Sequence, residues 1–369
     1  MSSAAQIPTC KSMTLLSRLL LLPRVEERTS LVMEALNSDV ARLSRGDFDD
    51  LAALANLNHV VMRAMNVLLG MSRETRDTER AAWVLNALAA EQARIHNALT
   101  YLDQICRVFE QEGFGVTVIK SLDHWPDLGS DLDLYTNAAP EDVIHVMTRR
   151  FGAQTEARSW GDRLACKWNF KIPGLPESVE VHVGRLGQTG EQVSIASSLL
   201  RRTRLLEVGG HMFRVTSKTD RLLLSTLQRM YRHFYFRLCD IVDSAGMVEN
   251  DGLDWNDLHA ASRQAEIWEG VSTYLVIVSD YVMKYRGYGV ELPSLVTATA
   301  RFGGESVYYG RGFLRVPIMP QSARLYGTQL AGVLKKRELH AGARLSLLPW
   351  LATAAAVGQK ITGSDKGIW

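Results

Sequence analysis

The chain has 369 residues, of which 46% are hydrophobic and 22% charged, with a formal net charge of +2. At roughly 100–200 residues per domain, this length carries two or three folded units, and the composition excludes a disordered or collagen-like chain. The near balance of charge gives no bulk electrostatic case for nucleic-acid binding. Four cysteines, Cys10, Cys106, Cys166 and Cys239, lie far apart with no C-x-x-C pair. That spacing excludes a disulfide scaffold and the common zinc motifs, and it fits a reducing compartment.

Near the start, Ser12 to Leu22 is the one stretch that looks like a targeting signal. Ser17 and Arg18 interrupt its leucines and Pro23-Arg24 ends it, so it falls well short of the ~20 apolar residues that span a bilayer. It reads as the apolar face of a packed helix, and the chain as cytoplasmic. Asp47 to Leu69 repeats apolar residues at helical spacing behind an acidic start, which predicts one helix. Thr78 to Glu112 predicts a second, longer helix whose buried stripe runs from Val84 to Phe109, stopped by Gly113. The pattern then changes to strands. Val116 to Lys120 is a short β-branched run, while Asp131 to Tyr135, Ala165 to Ile172 and Ser178 to Val183 alternate. Pro140 to Phe151 predicts a helix between strands, and Arg204 to Val208 and His211 to Val215 flank a Gly209-Gly210 hairpin turn.

Helical spacing returns from Thr219 to Ile241, then over Asp254 to Ala265 and Trp268 to Tyr285. Arg301 to Phe313 is rich in glycine and aromatic residues but lacks the spacing of a phosphate loop, so it reads as a surface loop. A last apolar helix opens near Pro349 and runs to about Val357, and 363–367 reads as a frayed tail. The predicted layout is a helical region over 1–112, an α/β core with a mixed sheet over 113–216, and a helical region over 217–369.

The chemistry concentrates in Val116 to Thr136, VTVIKSLDHWPDLGSDLDLYT. Side chains two apart on a strand face one side. Asp131 and Asp133 therefore project together, and Leu132 and Leu134 point to the core. Two carboxylates so placed repel unless a cation lies between them, which suits Mg²⁺ bound to substrate phosphates. A D-x-D alone is weak: Asp47-Phe48-Asp49 has the same form, yet it sits where a helix begins and is explained by capping. Glu180, in Val179-Glu180-Val181-His182-Val183, adds a third carboxylate, and the three together suit a pair of metal ions ~3.5–4 Å apart. His182 is either an orienter of Glu180 or a core histidine. Arg229, Arg232, His233 and Arg237 lie near helical spacing and read either as a phosphate-contacting set or as a solvated helix face. Arg201-Arg202-Thr203-Arg204 and Lys335-Lys336-Arg337 read either as a surface for RNA or an acidic partner or, as short basic runs more often are, as solvated.

From Ala93 to Tyr285, about half the chain, the motifs FEQEGFGVTVIKS, SDLDL and VEVHV, with Arg237 to Ile241 and Leu253 to Leu258, resemble a family. It is the uncharacterised nucleotidyltransferase family of bacterial gene clusters, within the polymerase-β-like superfamily. The resemblance implies a minimal nucleotidyltransferase α/β (α+β) core between helical regions, and transfer of an NMP from an NTP to a hydroxyl or phosphate acceptor with release of pyrophosphate. It implies that Asp131, Asp133 and Glu180 hold two Mg²⁺ ions, with Glu180 acting as or orienting the general base. Lys120 and Ser121 would cradle the β- and γ-phosphates, helped by Arg229 and Arg232. Ser121 stands where the family has glycine, keeping a hydroxyl and giving up backbone freedom. A small-molecule or peptide acceptor is favoured over nucleic acid. Two other readings stay open: a nucleotide-sugar glycosyltransferase, which also uses D-x-D on a strand, and a non-catalytic nucleotide-binding or scaffold protein on the same fold.

Overall fold

A computed structural model describes residues 10–23, 30–250, 252–351 and 353–354. Five helices open the chain: α1 (Cys10–Leu20), α2 (Ser30–Ala41), α3 (Arg45–Leu57), α4 (Val61–Glu74) and α5 (Thr78–Gln111). Leu15, Leu16 and Leu19 of α1 are buried in the main core and Leu20 packs against it half-buried, as the packed-helix reading requires. The second long helix, α5, appears as one unbroken element.

The single helix expected over Asp47 to Leu69 is instead two. Asn58 and His59 break it, and His59 takes a left-handed backbone with φ 53°. The reason is tertiary: the buried Asn58 amide donates to the carbonyls of Leu54 and Gly312 and accepts from the N–H of Leu238. A side chain that satisfies two distant backbone groups as well as one in its own helix outweighs one more turn of helix.

The core is a seven-stranded mixed sheet: β1 (Val116–Val118), β2 (Asp131–Thr136), β3 (Gln154–Thr155), β4 (Lys167–Lys171), β5 (Ser178–Val183), β6 (Thr203–Val208) and β7 (His211–Thr216). Their order is β3-β4-β5-β2-β1-β7-β6. The strands β1 and β2 are adjacent, and β5 lies next to β2. The β1–β2 pair is antiparallel, whereas β2–β5 and β1–β7 are parallel. The return from β2 begins with α6 (Pro140–Phe151), which has proline in its first turn, acids behind it and arginines in its last turn. Each of these suits the helix dipole and the unpaired N–H groups of a first turn. Gly209 and Gly210 join β6 to β7 with φ of 58° and 81°, the two positive values that a tight hairpin turn demands.

Short helices α7 (Trp160–Leu164) and α8 (Val193–Leu199) border the sheet. Beyond it come α9 (Lys218–Thr226), a π-helical turn over Leu227–His233, β8 (Tyr235–Phe236), α10 (Leu238–Asn250), α11 (Trp255–Gln264) and α12 (Trp268–Arg286). The continuous helix expected from Thr219 to Ile241 is thus interrupted, with Phe234 left-handed at φ 54°. No glycine or proline marks that break.

The expected surface loop after Arg301 is also corrected. Following α13 (Ser294–Thr299), β9 (Tyr308–Gly310) and β10 (Phe313–Arg315) form a hairpin, and β10 pairs with β8 in a second sheet. Arg311 and Gly312 make the turn, both with positive φ. A Cβ on Gly312 would stand 2.5 Å from Leu57 Cδ2, so the hairpin tip packs directly on α3.

The chain continues as α14 (Ala323–Lys335) and α15 (Leu339–Leu345), with 348–351 and 353–354 helical. The remainder of the helix expected to Val357, and the 363–367 tail, lie outside the described residues.

Candidate active site

Parallel pairing of β2 with β5 sets Asp133 directly opposite Glu180. Val179 and Val181 are fully buried, and the alternation turns Glu180 and His182 to the other face. The ligand atoms of Asp133, Glu180 and His182 all lie within 4.8 Å of one another. The two carboxylates are therefore well inside the ~8 Å beyond which a shared cation would be impractical. Asp131 opens β2 at its exposed end, where it accepts from Ser130 Oγ at 3.3 Å and lines the same cavity.

Two lysines neutralise these acids. Lys120 is ion-paired with Asp133 and lies 3.5 Å from Glu180. Lys167 bridges Glu180 at 2.9 Å and Asp162 at 2.8 Å. His182 Nε2 donates to Glu180 Oε1 at 2.8 Å. Burial pushes the Asp133 carboxyl up to about 7, against the pull of Lys120. Burial acts on Glu180 in the same sense but is outweighed by Lys120, the His182 hydrogen bond and Lys167, which together hold it well below the usual carboxylate range. His182 is held to about 4 by burial and is neutral. The even choice for His182 thus resolves: it is buried and it orients Glu180.

The turn after β1 places Lys120 and Ser121 at one end of the acidic pair. Lys120, not Ser121, carries the positive φ, at 64°. Ser121 is buried, and its hydroxyl accepts from the Asp133 backbone N–H at 2.6 Å. The serine therefore fixes the backbone of β2 at the acidic residue. The lysine points its ammonium at two carboxylates.

Asp131, Asp133, Lys120 and Glu180 line one side of a polar cavity of about 170 Å³, faced by Arg229, Arg232 and Arg237. The two arginines singled out from sequence separate here. Arg229 is 1% exposed, so it is not a solvated residue; it pairs with Asp240 at 2.7 Å while its buried Nη1 has no hydrogen-bond partner among the described residues. Arg232 forms no ion pair with a described residue and faces the cavity. Arg237 joins it: its guanidinium lies about 6 Å from the rings of Tyr235 and Phe313, and its buried Nε has no hydrogen-bond partner among the described residues. The π-helical turn and the break at Phe234 bring these groups to the cavity. A local signal for the new helix existed: Asp240, three residues after Arg237, accepts from the Arg237 N–H at 2.7 Å in the manner of a capping acid.

The other D-x-D behaves as a cap. Ser44 Oγ accepts from Asp47 N while Asp47 accepts from Ser44 N at the start of α3. Of the basic runs, Arg202 is paired with Asp220 and Asp257 and Lys336 with Glu266, so both serve packing between elements.

A mixed sheet that presents an acidic pair on neighbouring strands, flanked by helices, is consistent with an α+β nucleotidyltransferase fold. A family model described as "Uncharacterised nucleotidyltransferase" matches residues 44–282, and the chain belongs to that family. The match begins at the Ser44 cap of α3 and ends within α12, so α3 to α11 and most of α12 are part of it. No curated protein matches the chain.

Proposed function

We propose that the protein transfers an NMP from an NTP to a hydroxyl or phosphate acceptor, with release of pyrophosphate and dependence on Mg²⁺. The observation that carries this reading is the register of Asp133 with Glu180, facing Arg232 and Arg237 across one cavity. The donor set fits a hard divalent cation: carboxylate oxygens from Asp131, Asp133 and Glu180 would hold two Mg²⁺ ions, and the Lys120 ammonium already marks a cation position between two of them. When bound, Mg²⁺ neutralises charge that develops on the transferred phosphoryl group and the leaving pyrophosphate.

Arg232 and Arg237 supply planar, permanently charged donors for the β- and γ-phosphates. Lys120 competes with any bound cation for the same carboxylate oxygens, so it is free to meet a phosphate once those oxygens are otherwise neutralised. Ser121 acts by holding the Asp133 backbone. Glu180, held ionised by Lys120, the His182 hydrogen bond and Lys167, would hold the catalytic metal and act as, or orient, the general base for the acceptor. An apolar cavity of about 320 Å³, bounded by Tyr231, Phe234, Met319 and Tyr326, shares Arg232 with the polar one. It supports a small-molecule or peptide acceptor with an apolar body. No described helix is long and apolar enough to cross a membrane, and a cytoplasmic setting, where NTPs and Mg²⁺ are plentiful, belongs to the same proposal.

The test is incubation with each α-labelled NTP, Mg²⁺ and a metabolite extract, with release of pyrophosphate measured beside the labelled product. Asp131→Asn, Asp133→Asn and Glu180→Gln should each lower kcat by more than the ~10²–10³ typical of one lost transition-state donor. Turnover surviving any of them within about tenfold would remove the proposal; a labelled nucleoside diphosphate would mark γ-phosphoryl transfer instead, and diphosphate released from an added nucleotide sugar, with no reaction of the NTPs, would move it to glycosyl transfer.

A further inference from the structure

A second cluster lies on the wall of the cavity, built from residues that sequence spacing could not connect. His59 stands at the break between α3 and α4, His124 in the loop from β1 to β2, and Cys239 in the first turn of α10. One ligand atom from each lies within 4.8 Å of the other two. His124 Nε2 is 3.6 Å from Cys239 Sγ, and the His59 and His124 rings meet edge to face at 5.9 Å. Cys239 is fully buried.

The supports of this cluster are as specific as its members. Asn58 ties the His59 segment to the Cys239 segment twice, accepting from Leu238 N at its side-chain oxygen and from Cys239 N at its carbonyl. His124 Nδ1 is 2.6 Å from Asp243, which Arg63 holds at 2.7 Å. A carboxylate on Nδ1 sets the ring so that Nε2 faces the thiol, which is how metal-binding histidines are commonly oriented. The loop bearing His124 is pinned by Asp127, which accepts from Met62 N at 2.6 Å and pairs with Arg63 at 2.7 Å. His59 Nδ1 is buried with no hydrogen-bond partner among the described residues. Such an orphan is costly unless something else occupies it.

We propose that His59, His124 and Cys239 form a binding site for a divalent cation of the Zn²⁺ class. Two imidazoles and one thiolate are borderline-to-soft donors that select Zn²⁺ or Co²⁺ over Mg²⁺. Three protein ligands leave a four-coordinate ion one position short. His59 and His124 both line the polar cavity, so the fourth ligand comes from there, as water or as an oxygen of bound phosphate. The site is separate from the Asp131, Asp133 and Glu180 group and stands whether or not NMP transfer is the activity.

The test uses the full-length protein, stripped with chelator and titrated with Co²⁺. One equivalent should produce a thiolate-to-cobalt charge-transfer band with intense visible bands of four-coordination. Zn²⁺ should abolish both, and Mg²⁺ in excess should not. Cys239→Ser should lose the charge-transfer band, and His59→Gln should weaken binding, so the site remains testable if one variant does not fold. Asp243→Asn should weaken Co²⁺ binding about 10–100-fold, the usual effect of removing an outer carboxylate, whereas Asp131→Asn should leave the spectrum unchanged. Added pyrophosphate should shift the visible bands, and unchanged bands would overturn the open fourth position. No charge-transfer band at one equivalent, or a band that persists in folded Cys239→Ser, would overturn the site.

Discussion

Lys120 and His182 show how much of the site depends on single charges. The Lys120 ammonium is the cation that Asp133 shares with Glu180. Removing one member of a buried ion pair leaves the other uncompensated, typically at a cost of about 3 kcal/mol or more. Lys120→Met should therefore lower the melting temperature in chelator, and millimolar Mg²⁺ should recover much of the loss. If Mg²⁺ leaves the gap to the parent protein unchanged, these carboxylates are not a cation site. His182 makes a pH prediction with a definite sign. Its folded value of about 4 lies below the ordinary 6.5, because burial outweighs its hydrogen bond to Glu180. The unfolded chain thus binds the extra proton more readily, so the contribution of His182 is present above pH 6.5 and is lost as pH falls through 4. At 1.36 kcal/mol per unit, it is worth about 3 kcal/mol. In metal-free protein, His182→Gln should flatten that acid limb, and an unaltered limb would place the titration elsewhere.

Among the elements, α3 and the segment from α9 to α10 mark two limits of reading a chain. The first concerns identical motifs in different settings. Asp47 and Asp49 share the D-x-D form with Asp131 and Asp133, but Asp47 closes a capping box and Asp49 pairs with Arg45 on an exposed helix face. Replacing both with Asn should leave NTP turnover unchanged and cost at most about 1 kcal/mol by thermal unfolding, since Asn also caps well. Loss of activity with the fold intact would show that the wrong pair had been chosen. The second limit concerns helix breaks without breakers. Between His233 and Arg237 no glycine or proline interrupts the pattern, yet β8 forms there because β10 supplies an edge to pair with. Long-range pairing outweighed local helical spacing, and that break carries Tyr235 and Arg237 to the cavity.

At the scale of the molecule, buried side chains from Met13 to Leu325 form one contiguous cluster among the described residues, with a small satellite of Val333, Ala341, Leu345 and Leu348. The regions 1–112, 113–216 and 217–369 are, on our proposal, divisions of role within one folding unit. Shared burial couples them, because separating any one would expose apolar faces of the others. Unfolding followed by far-UV circular dichroism and by tryptophan fluorescence should therefore give coincident transitions. Two resolved transitions would instead make these regions independent domains. The polar cavity is bounded by residues from all three, His59 from the first, Asp131 from the second and Arg237 from the third, so a fragment covering 113–216 alone should not turn over NTP.

Features with short-range causes were legible in the chain. Alternation defined β2 and β5, a two-glycine turn defined the β6–β7 hairpin, and an unbroken apolar stripe defined α5, because each depends on neighbours within a few residues. The acidic trio could be named for the same reason: carboxylates on apolar strands are costly without a cation. What only the tertiary structure decided was which charges meet. Arg229 pairs with Asp240 while Arg229, Arg232 and Arg237 all line the cavity, Ser121 turned to the Asp133 backbone, and His59, His124 and Cys239 converged from three elements. Those outcomes depend on contacts between residues far apart in the chain, set by how the elements pack rather than by any local spacing.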